Sequence, residues 1–290
     1  KAQLTTVDLQ QGDSDCLKAW KTLCDISFNE FNKIYKRLDI TLNNFGESFY
    51  NPMLPSVIKE LEDAGLVEVS EGAKCIFIKG KQIPLMLQKS DGGYNYDSTD
   101  MAAARYRLIE LKADRIIILT DVGQRPHFDL IFEASKLIGW HVPPKTKMEH
   151  MGFGLVSDES GQKFKTRSGD TVKLIDLLDE GKERAAKQLR DRMADTKEGK
   201  EGSQTYVNEA DLEESAERIG MAAIKYFDLK QNRISNYKFN YNQMLDPKGN
   251  TAVYLLYSYA RICSIINKSG MTQEQIDELL NKDGFKITHP

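Results

Sequence analysis

The run RIIILTDV at residues 115–122 constrains the fold of this chain most. It is continuously apolar and short enough to be a strand buried in a parallel sheet. Gly123-Gln124-Arg125-Pro126 breaks it, and HFDLIFEASKLIG then reads as a helix. A further strand is expected near Met148–Val156. Upstream, a Gly92-Gly93 turn leads through YNYDSTD into the helical run MAAARYRLIELKA. Strand and helix in alternation are the rhythm of a doubly wound α/β sheet.

Three blocks follow from this reading. Residues 1–80 are expected to be mostly helical. A capping box at Ser27-Phe28-Asn29-Glu30 opens a helix to Leu38. A second helix runs near Pro55–Ala64 and stops at Gly65. LVEVS and KCIFIKG then form a hairpin. Residues 81–178 carry the alternating α/β pattern. Residues 179–290 are expected to be helical, with long helices near 208–227 and 250–267 and a last short one capped by Thr272–Gln275. This block opens on EGKERAAKQLRDRMADTKEGKEGSQ, whose charge density implies a solvated helix that buries no apolar face.

Composition excludes more than it selects. The chain has 290 residues, 40% of them apolar, enough for a sizeable core. No apolar run reaches the roughly 18 residues of a membrane span. The first residues, KAQLTTVDLQ, carry no signal-peptide core and no initiator Met, as expected of a processed fragment. Cys16, Cys24, Cys75 and Cys263 lie far apart with no CxxC pair, which points to neither a zinc site nor a disulfide framework but to the reduced thiols of a cytoplasmic protein. The net charge of −3 places any nucleic-acid contact on local patches.

In open α/β sheets ligands bind at the carboxyl ends of strands, and three segments fit that position. In the first, Tyr96 and Asp100 stand one helical turn apart and face one cleft. A carboxylate there accepts the paired N–H donors of a guanidinium, with the phenol as a wall or hydrogen-bonding group. A capping role for Ser98 or Asp100 competes with this. In the second, Gln124-Arg125-Pro126-His127, Gln124 suits a polar small ligand and His127 stands near a helix amino terminus that favours phosphate. A surface or capping role competes for His127, and His150 reads as structural. In the third, Gly152-Phe153-Gly154-Leu155-Val156 offers glycines that let a nucleotide approach the backbone. The nearby Lys163, Lys165, Thr166, Arg167 and Ser168 concentrate cations and hydroxyls in a turn able to close on phosphates. A solvated basic turn is the competing reading.

GESFYNP (46–52), KSDGGYNYDSTDMAA (89–103), TDVGQRPHF (120–128), GFGLV (152–156), KFKTRSGDTVKLIDLLDE (163–180) and MLDPKGNTAVYLLYSYARICSI (244–265) resemble, in the same order, segments of the arginyl-tRNA synthetases, a class I aminoacyl-tRNA synthetase family. The resemblance implies the second half of a Rossmann-like catalytic fold over 81–178. It also implies a helical insertion with a small hairpin over 1–80, and over 179–290 a helical region that begins the anticodon-binding or stem-contact domain. It implies that Tyr96, Asp100 and Gln124 hold L-arginine, and that His127, Gly152, Phe153, Gly154 and Val156 border ATP. Phe164-Lys165-Thr166-Arg167-Ser168 correspond to the family's mobile Lys-Met-Ser-Lys-Ser loop. Its second lysine is here Arg167, so Lys163 and Lys165 are both candidates for the α-phosphate. Asn250, Tyr254, Tyr257 and Arg261 correspond to tRNA contacts, although core aromatics on an apolar helix are the competing reading for the two tyrosines. Mg2+ is implied as part of the ATP complex, with no structural metal. The partners implied are L-arginine, ATP and tRNA(Arg), with other synthetases in a multi-enzyme assembly as a further expectation and no membrane.

No His-Ile-Gly-His-like motif occurs in this sequence. The first half of the nucleotide fold is therefore expected before Lys1, and the bulk of the anticodon-binding bundle after Pro290. Two other expectations stand beside the ligase: a non-catalytic tRNA- or protein-binding module, and a nucleotide-binding α/β protein with no tRNA role.

Overall fold

The computed structural model describes residues 2–158, 161, 173–197 and 208–283. The chain forms two compact units, one of residues 1–155 with Arg233–Asn236, the other of residues 156–232 with 237–290.

The first unit begins with α1 (Ala2–Gln10) and α2 (Ser14–Arg37). Asp13 starts α2 by accepting from the backbone N–H groups of Asp15 and Cys16 at 3.1 and 2.9 Å. The expected capping box at Ser27 does not form. Ser27 lies inside α2 and donates to the Leu23 carbonyl at 2.9 Å, because the helix is already running when it reaches that residue. Next come α3 (Glu47–Tyr50) and α4 (Leu54–Asp63), with Gly65 at φ +70° just past the end of α4. The hairpin of β1 (Glu68–Ser70) and β2 (Ala73–Ile76) forms as expected and is extended by β3 (Leu85–Gln88) into an antiparallel sheet.

Then follow α5 (Tyr96–Arg105), β4 (Arg115–Asp121), α6 (Arg125–Leu137) and β5 (Lys147–Phe153). The strands β4 and β5 pair in parallel, from Arg115 opposite Lys147 to Asp121 opposite Phe153. One core joins Leu54 and Leu61 of α4, Ile76, Leu85 and Leu87 of the antiparallel sheet, Met101 of α5 and Ile131 of α6. It also takes in Ile116 and Met148 of the parallel pair. The strand at 115–121 is buried on one face only, a correction to the expected burial. Ile116 is 6% exposed, whereas Ile117 and Leu119 are 48% and 61% exposed. Side chains alternate across a strand, and the core of this unit covers the Ile116 side.

The second unit holds a short parallel pair, β6 (Val156–Ser157) with β7 (Tyr237–Lys238), among helices. These are α7 (Leu174–Lys197), α8 (Leu212–Leu229), α9 (Tyr241–Met244), α10 (Ala252–Ser269) and α11 (Gln273–Asp283). The charge-dense run does bury an apolar face, against expectation. Ala185, Ala186 and Leu189 of α7 are buried, because small residues let α7 and α8 approach closely. Gly220 of α8 makes a close backbone approach: a Cβ there would sit 2.9 Å from the carbonyl carbon and oxygen of Gly181. Gly220→Ala is therefore expected to cost about 1–3 kcal/mol by forcing the helices apart, measurable as a lower midpoint in urea unfolding. An unchanged midpoint would show that the helices give way freely. The start of α11 is the expected box, with Thr272 N donating to Gln275 Oε1 at 2.9 Å and Gln275 N to Thr272 Oγ1 at 3.3 Å.

Candidate active site

The local chemistry of Asn95–Ser98 decides where the first binding segment points. Asn95 caps α5, its Oδ1 accepting from Ser98 N at 3.3 Å while Ser98 Oγ accepts from Asn95 N at 3.2 Å. Ser98 Oγ also donates to the Leu87 carbonyl of β3 at 2.6 Å, which anchors the first turn on the sheet. Asp100 is thus inside the helix and does not cap it. Tyr96, Asp97 and Asp100 stand at i, i+1 and i+4 of one opening turn. Asn95→Ala should cost about 1 kcal/mol through loss of the cap, read as a fall in Tm; no change would mean that Ser98 holds the turn alone.

The amino end of α6 meets this turn. Pro126 suits the first helical turn, and His127 follows it. Its Nδ1 lies 3.0 Å from Asp97 Oδ1 and its Nε2 2.7 Å from Asp100 Oδ2. Asp97 is 8% exposed, and its other oxygen accepts from Met86 N of β3 at 3.0 Å. The Tyr96 ring meets the His127 ring edge to face at 5.0 Å. Burial pulls the imidazole pKa down, but the hydrogen bonds and charges of Asp100 and Asp97 outweigh it and raise it to about 9. At neutral pH His127 is an imidazolium donating to two carboxylates. The three groups then carry a net charge of −1. Asp100, whose side chain is 34% exposed, presents that charge outward. Gln124 ends the turn after β4 and stands exposed at the cap of α6, three residues before His127.

The structure thus brings Tyr96, Asp100 and His127 together, with Gln124 on the adjoining helix end. Asp97, which no sequence motif singled out, joins them. Its only signal was the i, i+3 spacing to Asp100, hidden by an expected helix start at Met101. Both ring nitrogens of His127 are taken by carboxylates, Nδ1 by Asp97 and Nε2 by Asp100, so neither is left to meet the ATP phosphate that the resemblance placed beside it.

The glycines of GFGLV have protein neighbours. A Cβ on Gly152 would lie 2.8 Å from the Cα of Val122, and one on Gly154 would run into the Ser235 carbonyl. Arg233 donates to the Gly152 carbonyl and its own carbonyl accepts from Gly154 N. Phe153 ends β5, while Val156 belongs to the second unit and pairs with Tyr237. His150 accepts or donates through Nε2 to Thr120 Oγ1 at 2.8 Å and stacks on Phe128. Burial above all holds its pKa down. Lys163, Lys165, Thr166, Arg167 and Ser168 lie outside the described residues.

In the second unit, Asn250 takes Tyr226 Oη on its side chain and Lys230 Nζ, at 2.9 Å, on its carbonyl. Tyr254 and Tyr257 of α10 are 45% and 54% exposed, which corrects their reading as core aromatics. The guanidinium of Arg261 lies 5.7 Å from the Tyr257 ring centre, at the reach of a cation–π contact. Among the described residues no group of His, Cys, Asp or Glu is arranged to hold a metal, and no helix is long and apolar enough to cross a membrane.

This fold and site have relatives. The family described as tRNA synthetases class I (R), catalytic domain, matches residues 1–241, which defines the class: the chain carries a class I tRNA synthetase catalytic domain of mixed α/β architecture. Arginine–tRNA ligase, chloroplastic/mitochondrial, of Arabidopsis thaliana is 50% identical over all of this chain and 44% of its own length. The cytoplasmic arginine–tRNA ligase of the same plant is also 50% identical, over all of this chain and 48% of its own. The crystal structure of arginyl-tRNA synthetase from Plasmodium falciparum superposes with a TM-score of 0.77 at 42% identity, over 92% of this chain and 44% of that one. The chain belongs to the arginyl-tRNA synthetase family. It spans less than half the length of these relatives.

Proposed function

We propose that the intact protein joins L-arginine to tRNA(Arg) at the expense of ATP. The observation that carries this reading is the acidic cluster at the start of α5. Asp100, backed by Asp97 and His127, offers one net negative charge and an outward carboxylate beside the Tyr96 ring. A guanidinium presents paired N–H donors in one plane, which a carboxylate edge matches. Gln124 supports the remaining polar groups of the amino acid.

The reaction runs in two steps. The arginine carboxylate attacks the α-phosphorus of ATP, and the bond to the β-phosphate breaks, releasing pyrophosphate. The terminal ribose hydroxyl of the tRNA then attacks the arginyl carbonyl carbon and releases AMP. The protein positions the reactants and stabilises the developing charge. We assign Gly152, Phe153 and Gly154 to the edge of the adenosine, with Val156 carried over from the family pattern. Lys163 and Lys165, with Thr166, Arg167 and Ser168, are assigned to the phosphates, and Mg2+ to the incoming ATP. Tyr254, Tyr257 and Arg261 are exposed as a tRNA contact requires, and Asn250 orients the start of their helix. Residues 1–80, 81–178 and 179–290 correspond in this reading to the insertion, the second catalytic half and the start of the tRNA-contacting region. The site of action is the cytoplasm, as for the relatives named cytoplasmic.

The test is arginine-dependent exchange of labelled pyrophosphate into ATP by the intact protein. Exchange that needs arginine and is not supported by lysine is the expected result. Exchange supported equally by lysine would overturn the assignment of Asp100.

A further inference from the structure

We infer that Asp97 and His127 are positioning and specificity residues: a backbone-anchored chain, Met86 N–H to Asp97 to His127 to Asp100, fixes the plane and the net charge of the carboxylate that receives the guanidinium. This inference rests on the arginine-site reading above. An aspartate carboxylate turns easily about its last bond, and a third of the Asp100 side chain is exposed. A guanidinium bound edge-on needs that plane held. His127 Nε2 holds Asp100 Oδ2 at 2.7 Å. An imidazole ring would itself turn, but Asp97 Oδ1 holds its Nδ1 at 3.0 Å. Asp97 is in turn buried and held by Met86 N at 3.0 Å, so the chain ends on the β3 backbone.

Charge follows the same chain. Two carboxylates with no cation between them would attract any positive ligand, an ammonium included. The imidazolium leaves one negative charge, which one guanidinium neutralises. An ammonium is a point charge that gains little from a fixed carboxylate plane, whereas a guanidinium gains the second hydrogen bond. Asp97 and His127 therefore favour arginine over lysine without touching the ligand.

The experiment is steady-state pyrophosphate exchange by the intact protein carrying His127→Ala, Asp97→Asn, both together, or His127→Gln. His127→Ala and Asp97→Asn are each expected to raise KM for arginine roughly tenfold and to leave KM for ATP within about twofold. The double variant is expected to be little worse than His127→Ala alone, because both act through Asp100. His127→Gln keeps an amide donor for Asp100 and a similar volume, so it serves if the alanine variant does not fold. Its KM for arginine is expected between wild type and tenfold. An unchanged KM for arginine in a variant that keeps its Tm, or a KM for ATP that rises as much, would overturn the inference. Asp100→Ala, run alongside, separates the two claims. No effect of Asp100→Ala sinks the arginine site itself. A large effect there, with none from His127 or Asp97, sinks only the positioning chain.

Discussion

Asp100→Ala in the intact protein is expected to raise KM for arginine roughly 10²–10³-fold, a loss of about 3–4 kcal/mol of binding. The ligand's guanidinium loses its hydration on entering the site, and without Asp100 no carboxylate edge replaces it. The remaining Asp97–His127 pair is neutral and turned inward, with Asp97 spent on Met86 and His127. Asp100→Asn should fall close to the alanine variant, since an amide keeps the shape but offers one acceptor and no charge. Discrimination against lysine should fall in both, because a site built to satisfy a guanidinium rejects other ligands through the groups they leave unpaired. Arginine titrations of KM and kcat for the two variants check this. A KM within twofold of wild type would remove Asp100 from the site.

The second large effect is on stability against pH. The His127 pKa is raised from an unfolded value of 6.5 to about 9, so the folded state binds the proton more tightly. The stabilisation is fully present below pH 6.5 and is lost as the pH rises through 9. The difference corresponds to about 3 kcal/mol, with the side chain only 18% exposed. Unfolding in urea at pH 6.5 and at pH 9.5 is expected to show wild type losing about that much more than His127→Gln. Parallel losses in the two proteins would mean that the imidazolium between Asp97 and Asp100 adds nothing to folding.

The parallel core of the fold was readable from single segments. RIIILTDV could be little but a strand, GQRP had to end it, and Gly65 had to end α4, where φ is +70°. What resisted reading were choices between equivalent local signals. Asn95, Ser98 and Asp100 can all cap a helix, and the bond from Ser98 to the Leu87 carbonyl, a contact distant in sequence, decides for Asn95. Once the helix starts there, Asp97 turns toward His127, which a start at Met101 conceals. Ser27-Phe28-Asn29-Glu30 carries the capping pattern yet lies mid-helix, because Asp13 starts α2 earlier. The burial of Ala185, Ala186 and Leu189 is not legible in the sequence because small residues among charges show no apolar stripe until a glycine-lined partner approaches. The pairing of Asp100 with His127 joins residues from two separate motifs. Each motif was legible, but their bond was not, because no local spacing reports a contact made across α5 and α6.

Calorimetric titration of the intact protein with L-arginine and with citrulline tests the central claim most directly. Citrulline keeps the shape of arginine and replaces the guanidinium with a neutral urea. Arginine binding with citrulline weaker by at least about a hundredfold is the predicted result, since only the cation meets the charge of Asp100. Equal affinity for the two, or no arginine binding by folded protein, would contradict a guanidinium site at the start of α5.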